Sequence, residues 1–200
     1  MTPQPHLSAS ARTGTASVFR THELEAQGIS RPKIRELVSS GKLQRIGRGL
    51  YTRPDAPVEE NRALAEVAKR IPKATVCLLS ALRFHNLTTQ APHEIWVALD
   101  RKARHPKVDY LPLRVVRFSG MALQEGQEQH VIEGVPVRVY NPGKTVADCF
   151  KYRNKIGLDV ALEALREAWR NRACTMSELA HYARICRVSN VMRPYLESLS

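Results

Sequence analysis

Apolar positions recur along the chain with two periods, and the change of period marks out its elements. Leu24 is the inward position of a short helix that Thr21 can cap, with Glu23 favourable near its positive end and Gly28 at a left-handed exit. Ser30 can cap a second helix. Pro32 is tolerated in its first turn because an N–H there has no helical partner. Ile34, Leu37 and Val38 share one face of this helix, and Gly41 ends it. Leu43 to Ile46 then alternates as a strand. Gly47-Arg48-Gly49 reads as a tight turn with both glycines at positive φ, and Leu50, Tyr51 and Thr52 as the returning strand. Pro54 and Pro57 stop the pairing and mark a linker. Two helices around a short turn, followed by a two-stranded wing, give the outline of a winged helix-turn-helix. The first helix such domains usually carry is weak here: Ser8 to Val18 contains Gly14, several Ser and Thr, and little periodicity.

Helical spacing returns from Glu59 to Arg70, where Leu64, Val67, Ala68 and Ile71 share a face and Pro72 breaks the run. Thr75 reads as the cap of a helix through His85. Strand-like runs follow at Glu94 to Leu99 and Leu113 to Phe118. His130 to Glu133, Gly134 and Val135 to Tyr140 suggest a hairpin. From Asn141 the chain is helical to its end. Asn141 caps, Pro142 takes the first position, and Val146, Ala147, Cys149 and Phe150 face inward. After Gly157, the residues Leu158, Ala161, Leu162, Leu165, Ala168 and Trp169 make the most regular apolar stripe. Thr175 and Ser177 begin a further helix, and Ser189 to Leu199 forms the last. The fold class is α+β: an N-terminal winged helix-turn-helix over 16–57, then an α/β C-terminal domain over 58–200 ending in several helices. Residues 1–15 read as a disordered tail.

The 200 residues are 43% hydrophobic, enough for a folded core, with no run of about 18 apolar residues to span a membrane. The Ser-, Thr-, Ala- and Pro-rich start lacks the apolar segment of a secretory signal, which points to a cytoplasmic protein. Cys77, Cys149, Cys174 and Cys186 form no C-x-x-C pair and sit among apolar residues on helices, so they read as core and no metal is expected.

Charge changes the picture more. The net charge is +12, a bias that predicts an acidic partner, usually nucleic acid. Residues 31–53 hold Arg31, Lys33, Arg35, Lys42, Arg45, Arg48 and Arg53 against Glu36 alone, seven minus one or +6, half the surplus. The last eighty residues are nearly balanced, eleven basic against nine acidic. With Ile34, Leu37 and Val38 inward, Arg31, Lys33 and Arg35 project from the part of a recognition helix that enters the major groove. Arginine there can grip guanine O6 and N7, worth about 1–3 kcal/mol of discrimination. Arg45 and Arg48 on the wing would meet phosphates or an adjacent minor groove. A second basic run, residues 101–107, reads as a solvated loop, with a phosphate or partner contact as the alternative.

Catalytic signals are weak. Pro142-Gly143-Lys144-Thr145 has the end of a phosphate-binding loop but not its start, because position 138 is Arg. No G-x-S-x-G or H-E-x-x-H occurs. His85, His93, His105 and His130 are scattered, as are Asp100, Asp109, Asp148 and Asp159, so neither an enzyme nor a cofactor is expected.

Three stretches carry a family resemblance: GISRPKIRELVSSGKLQRIGRGLYTRP, LLSALRFHNLTTQAPHEIWVALDR and NPGKTVADCFKYRNKIGLDVALEALREA. They resemble the AbiEi-type abortive-infection antitoxins of type IV toxin–antitoxin systems. The resemblance implies a winged domain that represses the operon's own promoter at an inverted repeat in double-stranded DNA. It also implies a C-terminal domain that counters a cognate nucleotidyltransferase-type toxin, either functionally or by direct contact. The matching wing and recognition-helix residues are Ser30, Arg31, Lys33, Arg35, Lys42, Arg45, Arg48 and Tyr51. In the third stretch Lys144, Asp148, Arg153 and Lys155 are candidates for antitoxicity or for a structural role. A ligand-responsive winged-helix transcription factor without a toxin is the alternative reading.

Overall fold

The computed structural model describes residues 17–55, 60–106, 108 and 111–199. The tail expected over 1–15, Pro57 and the Lys107 end of the basic loop lie outside them. The architecture is mixed α+β, and the chain divides into two compact units, one of residues up to 69 with 131–136, the other of 70–130 and 137–200.

In the first unit, β1 (Val18–Arg20) leads directly into α1 (Thr21–Ala26), followed by α2 (Arg31–Ser39), β2 (Gln44–Gly47), β3 (Leu50–Thr52) and α3 (Arg62–Arg70). The three strands form an antiparallel sheet in the order β1-β3-β2, with Phe19 opposite Tyr51 and Arg45 opposite Tyr51 on the other side. Val18, where the sequence suggested the end of a weak helix, is thus in a strand with Phe19 and Arg20. Three residues give a period-2 pattern too little length to show, and only pairing with β3 settles their conformation. Arg20, not Thr21, stands at the cap of α1, its N–H donating to the Glu23 carboxylate at 2.7 Å. Thr21 instead donates its N–H to the Gly49 carbonyl at 3.1 Å. Gly28 closes α1 at φ +83°, with Ile29 N–H donating to Leu24 O at 3.0 Å. In the β2–β3 turn only Gly49 has positive φ (+70°); Gly47 is the last residue of β2, at an irregularity in the pairing. A Cβ on Gly49 would sit 3.2 Å from the Thr21 hydroxyl.

Leu24, Ile34, Leu37 and Leu43 make the small core under α1 and α2, with Phe19, Ile29, Val38 and Tyr51 packed around it. Each buried aliphatic side chain there contributes about 1.5–3 kcal/mol. Charged contacts add to it: Lys69 of α3 reaches the Glu23 carboxylate, and Arg62 reaches Glu133 at 2.9 Å, where the Ser17 hydroxyl also donates.

Apart from residues 131–136 at the tip of its last hairpin, which belong to the first unit, the second unit holds a five-stranded sheet of β4 (Thr75–Val76), β5 (Ile95–Asp100), β6 (Leu113–Phe118), β7 (Gln127–Ile132) and β8 (Val135–Tyr140), in the order β6-β5-β4-β8-β7. β4 runs antiparallel to β5 and parallel to β8, and β5 is parallel to β6. Thr75 is therefore a buried central-strand residue and not a helix cap. The helix there, α4 (Leu78–Phe84), starts after Cys77. A two-residue strand flanked by a helix is invisible to periodicity, and burial on both faces makes it read as part of the helical run. The β7–β8 hairpin turns at Glu133 and Gly134, with φ of +48° and +72°.

After the four-residue α5 (Met121–Gln124) and the hairpin come α6 (Pro142–Ile156), α7 (Leu158–Arg170), α8 (Met176–Ile185) and α9 (Ser189–Glu197). The core lies between the sheet face bearing Trp96, Ala98, Val116, Phe118 and Tyr140 and the helices bearing Leu82, Phe150, Leu165, Leu179 and Met192. Asn141 caps α6, its Oδ1 accepting from Lys144 N–H at 2.9 Å. The stripe expected on α7 is kept at Ala161, Leu165 and Ala168 but not at its two ends. Leu158 and Trp169 are 38% and 36% exposed, while Val160, Ala161, Ala164, Leu165 and Ala168 are buried. Alanines face the neighbouring helix because they allow close approach, which rotates the large residues to the edge of the contact. All four cysteines are buried and unpaired, although Cys77, Cys174 and Cys186 lie just outside helices. No helix among the described residues is long and apolar enough to cross a membrane.

Candidate nucleic-acid interface

The first unit fixes its basic side chains through α2. Ser30 Oγ accepts from Lys33 N–H at 3.4 Å, Pro32 sits in the first turn, and Ile34 and Leu37 anchor the inner face. Arg31, Lys33 and Arg35 are all exposed, as are Lys42, Arg45 and Arg48 on the approach to β2, its edge and its turn. At about 100° per residue, Arg31 and Arg35 lie within about 40° of each other, one turn apart, while Lys33 lies about 160° round the helix from Arg35. Opposite the buried Ile34 and Leu37 stand Pro32, Glu36 and Ser39, with Arg31 and Arg35 together on one flank of α2 and Lys33 on the other. The wheel arithmetic was available in the sequence; grouping the three cations by proximity in the chain concealed it.

The charges are lightly held. Arg31 Nε is 2.6 Å from Glu25 Oε1, with the two side chains 72% and 36% exposed. Lys33 Nζ is 2.6 Å from Glu36 Oε1, also at the surface. Such solvated pairs are worth about 0–1 kcal/mol, so either cation can be transferred to a phosphate or a base edge at small cost. Arg35 and Lys42 make no ion pair among the described residues. Arg45 Nε donates to Gly47 O at 3.2 Å, which holds its guanidinium along the β2–β3 turn. Tyr51 differs from the rest: it is half-buried against the small core. Ser30 acts as the helix cap.

The four candidates in α6 separate into two kinds. Lys144 and Asp148 are interior: Nζ and Oδ2 are 2.6 Å apart, with side-chain exposures of 0% and 3%. The Lys144 ammonium lies 4.2 Å from the Tyr140 ring centre and 4.8 Å from that of Phe118, and Cys186 Sγ donates to Asp148 Oδ1 at 3.2 Å. Burial raises the Asp148 carboxyl above its ordinary range, against the opposing pull of Lys144 and the Cys186 hydrogen bond. The Lys144 ammonium is thus engaged inside the fold, not offered at the mouth of a phosphate loop. Arg153 is half-buried and donates to Phe150 O at 2.9 Å; Lys155 is exposed, over the Tyr152 ring at 5.7 Å. No group of three or more His, Cys, Asp or Glu among the described residues is placed to hold a metal ion.

Residues 13–54, which include all of this basic surface, match the family model described as "Transcriptional regulator, AbiEi antitoxin". Among solved structures the chain is similar to the crystal structure of the RV2827C protein from Mycobacterium tuberculosis, with a TM-score of 0.56 and 14% identity over 83% of this chain and 66% of that one. At that identity the likeness concerns the fold alone, and the chain spans 66% of the other's length. A search of curated proteins finds no match.

Proposed function

We propose that the chain is a DNA-binding transcriptional autorepressor and the antitoxin of a type IV toxin–antitoxin system, cytoplasmic and not an enzyme. Residues 16–57 act as a winged helix-turn-helix, and residues 58–200 form the antitoxin domain that counters a nucleotidyltransferase-type toxin. One observation carries the DNA reading: Arg31 and Arg35 stand exposed and one turn apart at the capped start of α2, together on one flank of it. In a major groove this pair would read bases, while Lys42, Arg45 and Arg48 of the wing would meet phosphates. The family match over 13–54 supports both regulation and antitoxicity. For the antitoxin role, Lys155 and Arg153 are the surface candidates on α6, and Lys144 and Asp148 act by holding the helix in place.

The test is fluorescence anisotropy on a duplex carrying the inverted repeat upstream of the gene. Arg31→Ala with Arg35→Ala should weaken binding by about 1–3 kcal/mol for each base no longer gripped. An affinity equal to wild type would remove the groove assignment. Co-expression with a neighbouring nucleotidyltransferase gene, scored for growth rescue by the full chain, tests the second half. A ligand-responsive regulator without a toxin is the second reading, and a surface depression in the second unit lined by Lys73, Arg104 and Arg138 favours it.

A further inference from the structure

Two adjoining cavities in the second unit, of about 460 and 550 Å³, share Lys73, Leu99 and Ala103 and so form one open groove. Its walls bring together four cations distant in sequence: Arg70, Lys73, Arg104 and Arg138. Asp100 is the one carboxylate among the lining residues, and its Oδ1 already accepts from Lys102 N–H at 2.7 Å. Even without Arg70, the lining cations Lys73, Arg104 and Arg138 outnumber this carboxylate. Lys73 and Arg104 are exposed and make no ion pair among the described residues. The floor is apolar, with Leu99 3% exposed.

The rim is held in place before any ligand arrives. Arg117 Nη1 donates to Asp100 O at 3.0 Å and to Ala103 O at 2.9 Å, and Ala103 N–H donates to Asp100 O at 3.0 Å, which closes the turn that carries Arg104. Arg138 donates to Pro72 O, which fixes its guanidinium on the wall beside Lys73. A merely solvated basic surface spreads its charges outward. Here they border one open concavity together with Leu99, Ala103 and Leu123, in the size range of about 300–1,000 Å³ typical of small-molecule sites.

We propose that this groove binds a nucleoside polyphosphate, its phosphates held by Lys73, Arg104 and Arg138 and its base lying on the Leu99 floor. Arginine and lysine supply charge-assisted bonds to phosphate oxygens. The apolar floor adds what a bare inorganic anion cannot use. The site is separate in residues from the α2 arginines and does not depend on the DNA reading.

Isothermal titration of the full chain with ATP, tripolyphosphate and adenosine tests it. ATP should bind saturably at one site, and more tightly than either of the other two. Lys73→Ala with Arg104→Ala should weaken ATP binding about tenfold or more, while Arg31→Ala with Arg35→Ala should leave it unchanged. Both groove positions are exposed, so the folded circular-dichroism spectrum should persist. Photolabelling of the wild-type chain with 8-azido-ATP should mark peptides containing residues 70–73 or 99–106 and gives a readout independent of any variant. Absence of saturable ATP binding overturns the proposal. So does equal affinity for tripolyphosphate, weakening only in the α2 variant, or labelling confined to other peptides.

Discussion

The Lys144 ammonium and the Asp148 carboxylate meet at 2.6 Å on successive turns of α6, in the interior of the second unit. Removing one partner strands the other charge in a low-dielectric core, which typically costs 3–5 kcal/mol, whereas replacing both with apolar side chains is often neutral or stabilising. Lys144→Met alone should therefore lower stability by about 3 kcal/mol or more, and the double variant Lys144→Met with Asp148→Leu should recover most of the loss. Urea denaturation of the three proteins checks this. A double variant no more stable than the single one would show that the pair is more than a locally balanced unit. Loss of antitoxicity at either position has to be read against this stability measurement before it is assigned to a contact with a partner.

The wing arginines should appear in the salt dependence of DNA binding. Each phosphate neutralised contributes a slope of about −0.9 to the logarithm of affinity against the logarithm of salt concentration. Arg45→Ala and Arg48→Ala should each make the slope shallower by about 1 and weaken specific and unrelated duplexes alike. Lys33, on the far flank of α2 and beside Glu36, should change the slope less when replaced by alanine. Anisotropy titrations over a salt series separate these outcomes, and an unchanged slope in both wing variants would place the wing away from the phosphates.

Much of this arrangement was legible in the residues. Ser30, Pro32 and Gly28 bound α2 and its approach as their capping chemistry requires, and Asn141 with Pro142 opens α6 in the same way. The misses share a cause. Val18–Arg20 and Thr75–Val76 are strands of three and two residues, whose state is set by partners far along the chain. Lys144 was a candidate for antitoxicity or a structural role through the third stretch of the family resemblance, and a resemblance carries no burial. Only the folded placement of Asp148, Tyr140 and Phe118 accounts for a buried ammonium. The cationic groove was illegible for the same reason, since Lys73, Arg104 and Arg138 meet only through the strand order of the sheet.

Glu23 gives the first unit an acid sensitivity of known sign. Its partial burial would raise the carboxyl, but the hydrogen bond from Lys69, that from Arg20 N–H and the neighbouring positive charges outweigh it, so the net shift is downward. A carboxylate depressed in the folded state stabilises above its ordinary pKa, and that contribution is lost as pH falls through the folded value. Wild type should therefore lose more stability than Glu23→Gln between about pH 5 and pH 3, while Glu23→Gln should be the less stable at neutral pH. Thermal melts across that range check it; parallel curves for the two proteins would assign the acid sensitivity elsewhere.

Gly126 and Gly28 both have positive φ, +74° and +83°, and should respond to alanine very differently. Around Gly28 nothing lies within 4 Å of an added Cβ, so Gly28→Ala meets backbone strain alone, about 1 kcal/mol. At Gly126 the added Cβ would fall 2.7 Å from Lys144 Cβ and 3.2 Å from Tyr182 Cε1. Gly126 O also accepts from Asn141 N–H at 2.7 Å, next to the capped start of α6, so the backbone cannot retreat without loosening that cap. Strain and overpacking together should cost about 2–5 kcal/mol. The displacement should also reach the buried ammonium, because Lys144 is the side chain being struck. Hydrogen exchange would then show the start of α6 losing protection in Gly126→Ala, with no such change in Gly28→Ala. Equal denaturation midpoints for the two variants would mean that the second unit tolerates movement at the start of α6.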